Sequence, residues 1–338
     1  MIKSVDSIFD LIGNTPLLKL SKISRGVDAN IFVKCEFMNP SGSIKDRAAL
    51  RMINDAENLG KLKSGMTIIE ATSGNMGPAL AFVGGVKGYN VNLYIPKSWT
   101  GTYNPENRIK LMKIFGAKVE DVDLNLYRRY LENIPSDKFS AAAFGLCMKI
   151  CYELEMKDKS LWWANQMSNF SNVYAHRDGT GMEIINQLNG DIDVFVASIG
   201  SGGTLLGVAE ALNKSSIDAS IIGVEPVDAK VLEDWAKSGF LRSFLENLNV
   251  KCEKFIIEEI VDKALPNEVI HVNHEEARIM ANLLCREEGI FCGLSSGANV
   301  YAALKIAKKL GRKINIVTVC VDRRDRYLPE YPNETYVI

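Results

Sequence analysis

At 338 residues the chain is longer than one compact core comfortably serves, and its 47% of hydrophobic residues is enough for two domains. Forty basic residues against 41 acidic ones leave a formal charge of −1, which excludes the basic footprint of a nucleic-acid or polybasic membrane binder. No apolar run reaches the roughly 18 residues of a spanning helix, and Met1–Asp10 mixes acidic with apolar residues and has no secretion-signal pattern, so a cytoplasmic chain without a membrane partner is expected.

The first buried-strand pattern, Ile31–Cys35, leads into Asn39-Pro-Ser-Gly-Ser-Ile-Lys-Asp-Arg47, where a glycine turn delivers Lys45 to the first turn of a predicted helix. An amine there feels the positive end of the peptide dipoles, which disfavours its protonated form and leaves it nucleophilic toward an aldehyde. Taken alone, such a lysine reads by preference as a solvated side chain, and the segments that follow it in the chain reverse that preference. Thr67-Ile-Ile predicts a second strand, followed by Glu70-Ala-Thr-Ser-Gly-Asn-Met-Gly-Pro78 and an apolar helix from Ala79. Thr72, Ser73 and Asn75 offer donors beside backbone N–H groups at a helix start, a cradle for a carboxylate or phenolate; an N-cap with a glycine turn is the plain alternative. Asn92–Ile95 is a further strand, and Lys157-Asp-Lys-Ser160 interrupts the pattern where a join between domains is expected.

Asp193–Val196 then runs through Ala-Ser-Ile-Gly-Ser-Gly-Gly-Thr204 into another helix. Gly200, Gly202 and Gly203 let the backbone approach an anion, successive N–H groups point inward, and Ser201 and Thr204 add hydroxyls. The stretch lacks both the Lys-Ser/Thr ending of a nucleotide P-loop and dinucleotide spacing, so a mononucleotide-sized phosphate is preferred over NAD. Ser220–Val224 and Asn315–Val319 complete the strands, and Gly293-Leu-Ser-Ser-Gly-Ala298 heads a helix that Ser295 at its simplest caps. The alternating charges of Asp322–Tyr327 read as a solvated, self-paired turn. The seven cysteines are odd in number and scattered, which predicts reduced thiols. Cys147 and Cys151 stand four apart on a predicted helix, yet only three histidines exist, none at ligand or triad spacing, so neither a metal site nor a Ser/His hydrolase is expected.

In this order the segments resemble the fold-type II pyridoxal-phosphate enzymes, specifically the branch of cysteine synthase (O-acetylserine sulfhydrylase) and cystathionine β-synthase. The matching stretches run from Ile12-Gly-Asn-Thr-Pro-Leu17 through the Lys45 segment, Thr72-Ser-Gly-Asn75, Gly200–Thr204 and Val224-Glu-Pro226 to Gly293-Leu-Ser-Ser-Gly297. The resemblance implies an α/β chain with two open, twisted, largely parallel sheets flanked by helices, tryptophan synthase β-like, with pyridoxal 5'-phosphate in the interdomain cleft. It implies a smaller N-terminal domain of residues 1–12 and 35–157 with a mobile subdomain, a larger domain of 13–34 and 158–338, and a homodimer. Lys45 would be the Schiff-base lysine and general base, Asn75 would bond the ring oxygen, and Gly200, Ser201, Gly202, Gly203 and Thr204 would bind the phosphate. Ser295 would face the pyridine nitrogen, while Thr72, Ser73, Gly74, Asn75 and Gln166 would grip the substrate carboxylate. A serine at the ring nitrogen makes the cofactor a weaker electron sink, which favours β-replacement through an aminoacrylate over transamination.

Several stretches depart from the family. Met76 stands where the synthases usually carry threonine, and Trp99–Asn104 replaces a Met-Ser-x-Glu-Arg stretch. Val227–Trp235 replaces a Gly-Ile-Gly-x-Gly-Phe element, and Asn125–Trp163 is longer and more elaborate than usual. The leading expectation is cysteine synthesis from O-acetylserine or O-phosphoserine and sulfide. The alternatives are a cysteine lyase or desulfhydrase, a lanthionine-forming enzyme, or a diaminopropionate-type synthase using an amine. Asp228 and Asp234, in the unusual segment, are candidates for activating water at Cβ in a lyase. A non-catalytic relative has no joint need of Lys45, Asn75, Ser295 and the glycine turn. No haem-binding extension or regulatory domain is expected.

Overall fold

The computed structural model describes residues 4–96, 106–237 and 239–330. Within them lie the strands β1 (Leu17–Lys19), β2 (Asn30–Cys35), β3 (Thr67–Ala71), β4 (Asn90–Pro96), β5 (Lys118–Val122), β6 (Leu161–Trp163), β7 (Val194–Ser198), β8 (Ser220–Pro226), β9 (Glu268–Val272) and β10 (Asn315–Cys320). They form two sheets. The larger has the order β1-β2-β10-β7-β8-β9, parallel except for β1 on β2, and the smaller has the order β5-β4-β3-β6, parallel throughout.

Burial explains why the central strands read as apolar runs rather than alternating ones: helices cover both faces of a parallel sheet, so every side chain of Val194–Ala197 and of Ile316–Cys320 is inside. The one hydroxyl in the second run, Thr318, donates to Val196 O at 2.8 Å and so stays satisfied in the sheet interior. The core on the larger sheet joins Ile31, Val33, Val196, Val224 and Ile316 to Val300, Ala303 and Ile306 of the helix Leu294–Leu310.

The chain divides into two compact units, one of Met1–Arg51, Asn169–Lys237 and Lys254–Arg324, the other of Met52–Ser168, Ser238–Glu253 and Asp325–Ile338. The first carries the six-stranded sheet and the second the four-stranded one. Residues 158–168 go with the smaller sheet because β6 pairs with β3, Ile68 opposite Trp162 and Ile69 opposite Trp163. The glycine turns expected to open helices at Lys45, Gly74, Gly202 and Gly293 are all present, those at Gly74 and Gly202 directly after a strand. A widened π turn, His176–Gly181, lies between the short helices Ser171–Ala175 and Met182–Gln187. Small residues mark a close approach there: a Cβ on Gly181 would lie 2.5 Å from Ala211 Cβ, and one on Gly207 2.5 Å from Val173 O. The segment that departs from the family after β8 forms the helix Val231–Lys237, with Phe240–Asn247 beyond it.

Candidate active site

Lys45 opens the helix Lys45–Asn58. The turn before it closes through Gly42 N to Asn39 O at 2.7 Å, with Gly42 in the left-handed region at φ +88°. Ser43 Oγ accepts Lys45 N at 3.3 Å, and the Asp46 carboxylate accepts Ser41 N at 2.6 Å and the Ser41 hydroxyl. Arg47, one turn in, is forked twice: Nε and Nη2 reach Glu36 at 2.7 and 2.8 Å, while Nη1 and Nη2 reach Glu183 at 2.6 and 2.7 Å. Glu183 also takes Lys34 Nζ at 2.7 Å. A helix start pinned in this way delivers the Lys45 amine to a defined place, 3.4 Å from Ser201 Oγ. Burial lowers the pKa of that amine to about 8. Desolvation of the ammonium is the cause of this shift.

The glycine turn leaves β7 at Ser198 and enters the helix Gly203–Lys214. Its three glycines serve different needs. Gly202 sits at φ +89°, with a Cβ position 2.6 Å from Ile260 Cδ1, and a Cβ on Gly203 would be 2.4 Å from Asn172 Oδ1. Gly200 has nothing within 4 Å of its Cβ position, so the space over it is open. Fully buried Asn172 donates to Ser201 Oγ at 3.0 Å. Thr204 Oγ1 lies 3.3 Å from His176 Nε2, whose Nδ1 is 2.9 Å from Thr180 Oγ1. Burial first, then the charges of Lys45 and Arg47, hold His176 well below its ordinary pKa, so the ring is neutral. Neither Asn172 nor His176 was singled out from sequence. The signal that could have found His176 is its spacing of four from Thr180, which acquires meaning once both lie on one helical turn.

Ser295 is the second residue of the helix Leu294–Leu310; it is half-buried, and its hydroxyl has no hydrogen-bond partner among the described residues. Neighbouring Ser296 is fully buried and accepts Val321 N at 2.9 Å. Backbone bonds from Ile44 N to Val321 O (2.9 Å), Arg323 N to Gly42 O (3.0 Å) and Gly293 N to Asp322 O (3.0 Å) tie the lysine turn and the Ser295 helix to the same strand end. The solvated reading of Asp322–Tyr327 is therefore corrected: Asp322, Arg324, Arg326 and Tyr327 are buried, and Arg324 bonds Asn282. Alternating charge alone does not reveal a segment threaded between two loops.

In the other unit β3 delivers Thr72–Asn75 to the head of the helix Met76–Val86. Thr72 Oγ1 accepts Gly74 N at 3.2 Å, and Ser73 O accepts Arg108 Nε at 2.9 Å. Asn75 occupies the cap position with helical backbone, and its side chain makes no capping bond, unlike the plain alternative. Met76 points into the core, fully buried. Gln166 is buried, its backbone N donating to Glu70 Oε2 at 3.1 Å. Asp228 is exposed in the turn after β8, and half-buried Asp234 lies on the Val231–Lys237 helix. Trp99–Asn104 lies outside the described residues. Among the described residues no group of three His, Cys, Asp or Glu is placed to hold a metal, and no helix is long and apolar enough to cross a membrane.

A near-neutral amine beside a helix N-terminus, an open glycine face and hydroxyls at its rim can hold a phosphate ester and present a nucleophile to a carbonyl on it. The comparisons agree with this chemistry. The family described as pyridoxal-phosphate dependent enzyme matches residues 8–322. Cysteine synthase B of Campylobacter jejuni is 36% identical over 328 residues, covering 97% of this chain and 98% of that one. Among solved structures, a hydrogen sulfide-producing enzyme from Fusobacterium nucleatum superposes with a TM-score of 0.78 at 30% identity, covering 96% of this chain and 100% of that one. O-acetyl serine sulfhydrylase isoform 3 from Entamoeba histolytica gives 0.76 at 30% identity, covering 97% and 91%.

Proposed function

Since this chain belongs to the pyridoxal-phosphate dependent enzymes, we propose that it carries out β-replacement on a serine- or cysteine-type amino acid, forming cysteine from O-acetylserine or O-phosphoserine and sulfide. Relatives named cysteine synthase and O-acetyl serine sulfhydrylase support the reading. Pyridoxal 5'-phosphate, when bound, supplies the electron sink that acidifies the Cα–H of the amino acid it carries.

The chain's own residues do the rest. Gly200–Thr204 holds the phosphate with backbone N–H groups and the dipole of a 12-residue helix. Lys45, with a pKa of about 8, anchors the aldehyde and then takes and returns the proton at Cα. Ser295 would offer the ring nitrogen a hydroxyl, which does not hold a proton there as a carboxylate does, so departure of the β-substituent would be favoured over amino transfer. Asn75 would bond the ring oxygen, and Thr72, Ser73, Gly74 and Gln166 would take the α-carboxylate. The observation that carries the reading is the Lys45 amine 3.4 Å from Ser201 in the glycine turn. We also infer a homodimer working in the cytoplasm.

The test is to offer the purified protein O-acetylserine, O-phosphoserine and cysteine in turn, each with sulfide and with an amine acceptor. The expected result is cysteine from O-acetylserine or O-phosphoserine and sulfide, lost in Lys45→Ala; no product with any pair contradicts it. A second reading, release of sulfide from cysteine, is favoured by the likeness to the Fusobacterium nucleatum enzyme and by the altered segment after β8. In it Asp228 or Asp234 activates water at Cβ, and unchanged sulfide release in both Asp228→Asn and Asp234→Asn disposes of that role.

A further inference from the structure

Glu70, near the end of β3, is a buried carboxylate at 2% exposure, and N–H groups meet it with no ion-pair partner among the described residues. Oε1 accepts Ala71 N at 2.9 Å and Trp163 Nε1 at 3.4 Å; Oε2 accepts Gln166 N at 3.1 Å, and the Asn165 amide adds a further bond. Asn165 is in the left-handed region at φ +48°, which turns two successive amides toward one anion. Because β3 and β6 are parallel neighbours, the loops Thr72–Asn75 and Ala164–Asn169 leave the same edge of the sheet side by side. From the strand residue at the root of the first loop, the Glu70 side chain bonds the second loop at Asn165 and Gln166.

We propose that Glu70 is a positioning residue that sets the spacing of the two loops taking the substrate's α-carboxylate, and thereby governs affinity for the amino acid and not for the cofactor or the sulfur nucleophile. The proposal rests on the carboxylate role given above to Thr72, Ser73, Gly74, Asn75 and Gln166. A carboxylate is required because every partner is a donor. An amide in its place has one acceptor oxygen and sets an NH2 group against the Gln166 or Ala71 N–H. Aspartate keeps both acceptors but retracts them by one methylene. Burial pushes the Glu70 pKa up to about 7, against the opposing pull of these N–H groups on the anion.

The test compares Glu70→Gln and Glu70→Asp with Glu155→Gln in the holoenzyme. Glu155, on the helix Phe139–Lys157, accepts Trp163 N at 2.9 Å and so anchors the same strand without touching either loop. For Glu70→Gln the KM for the amino acid rises about tenfold, with kcat, the KM for sulfide and cofactor affinity each within about threefold. Hydrogen exchange of the cofactor-free protein quickens at residues 71–75 and 164–169, and Glu155→Gln changes neither readout. Should Glu70→Gln fail to fold, Glu70→Asp carries the same expectation. An unchanged amino-acid KM in the Glu70 variants overturns the proposal, as does an equal effect in Glu155→Gln or a joint loss of kcat and cofactor affinity. Thr72→Ala separates this inference from the reading beneath it: an unchanged KM there overturns both, and a raised KM beside unaffected Glu70 variants overturns this one alone.

Discussion

Lys45 and the glycines opposite it show how single positions decide the chemistry. With a pKa of about 8, roughly one amine in ten is neutral at pH 7, against about one in 3,000 for an ordinary lysine. Capture of pyridoxal phosphate by the cofactor-free protein therefore quickens about tenfold per pH unit below 8 and levels off above it, as stopped-flow absorbance reads. A rate still climbing toward pH 10 contradicts the lowered pKa. The glycines give a paired prediction. Gly203→Ala drives a methyl into Asn172 and costs about 1–3 kcal/mol in urea unfolding. Gly200→Ala meets no protein atom, so the unfolding midpoint of the cofactor-free protein stays put while phosphate-ester binding weakens about tenfold.

The helix that carries Lys45 is held by the Glu36–Arg47–Glu183–Lys34 network, and removing its central cation leaves the buried Glu36 carboxylate without its cation and half-buried Glu183 with Lys34 alone. Arg47→Met is expected to cost about 3–5 kcal/mol, seen as a fall in urea midpoint. Burial raises the Glu183 pKa, but bonds and charge from Arg47, then Lys34, outweigh it and bring the group to about 2. A carboxylate depressed from 4.5 contributes stability above pH 4.5 that is lost as pH falls toward 2, and in Arg47→Met this acid loss is shallower. The same elements show what a sequence discloses. The turns at Gly42, Gly74, Gly202 and Gly293 were legible because glycine, hydroxyl and apolar periodicity coincide within ten residues. Arg47–Glu183, Ser201–Asn172 and Glu70–Gln166 were not, since each joins residues remote in the chain through a fold that must be known first. Asp322–Tyr327 was misread for the same reason: the bonds of Asp322 and Arg323 to Gly293 and Gly42 join residues remote in the chain and leave no local mark.

Taken entire, the described residues form two sheets, parallel but for β1, and the departures at Met76 and Val227–Trp235 lie outside the strands. The Val231–Lys237 helix replaces a glycine-rich element, and Met76 turns into the core instead of offering a hydroxyl. Sequence revealed the cofactor class because backbone geometry around a phosphate leaves glycines at fixed places. The substrate is harder to read, because it is chosen by side chains on loops whose spacing depends on residues such as Glu70. The unit that holds the glycine turn also contains a second buried lysine, Lys34, whose amine is committed to Glu183, Gln187 and the Thr15 carbonyl. That pair makes one measurement decisive: borohydride reduction of the cofactor-loaded protein, followed by peptide mapping of the pyridoxyl group. The group is predicted on Lys45 alone. Its appearance on Lys34 or any other lysine, or on none, contradicts the assignment on which the proposed chemistry stands.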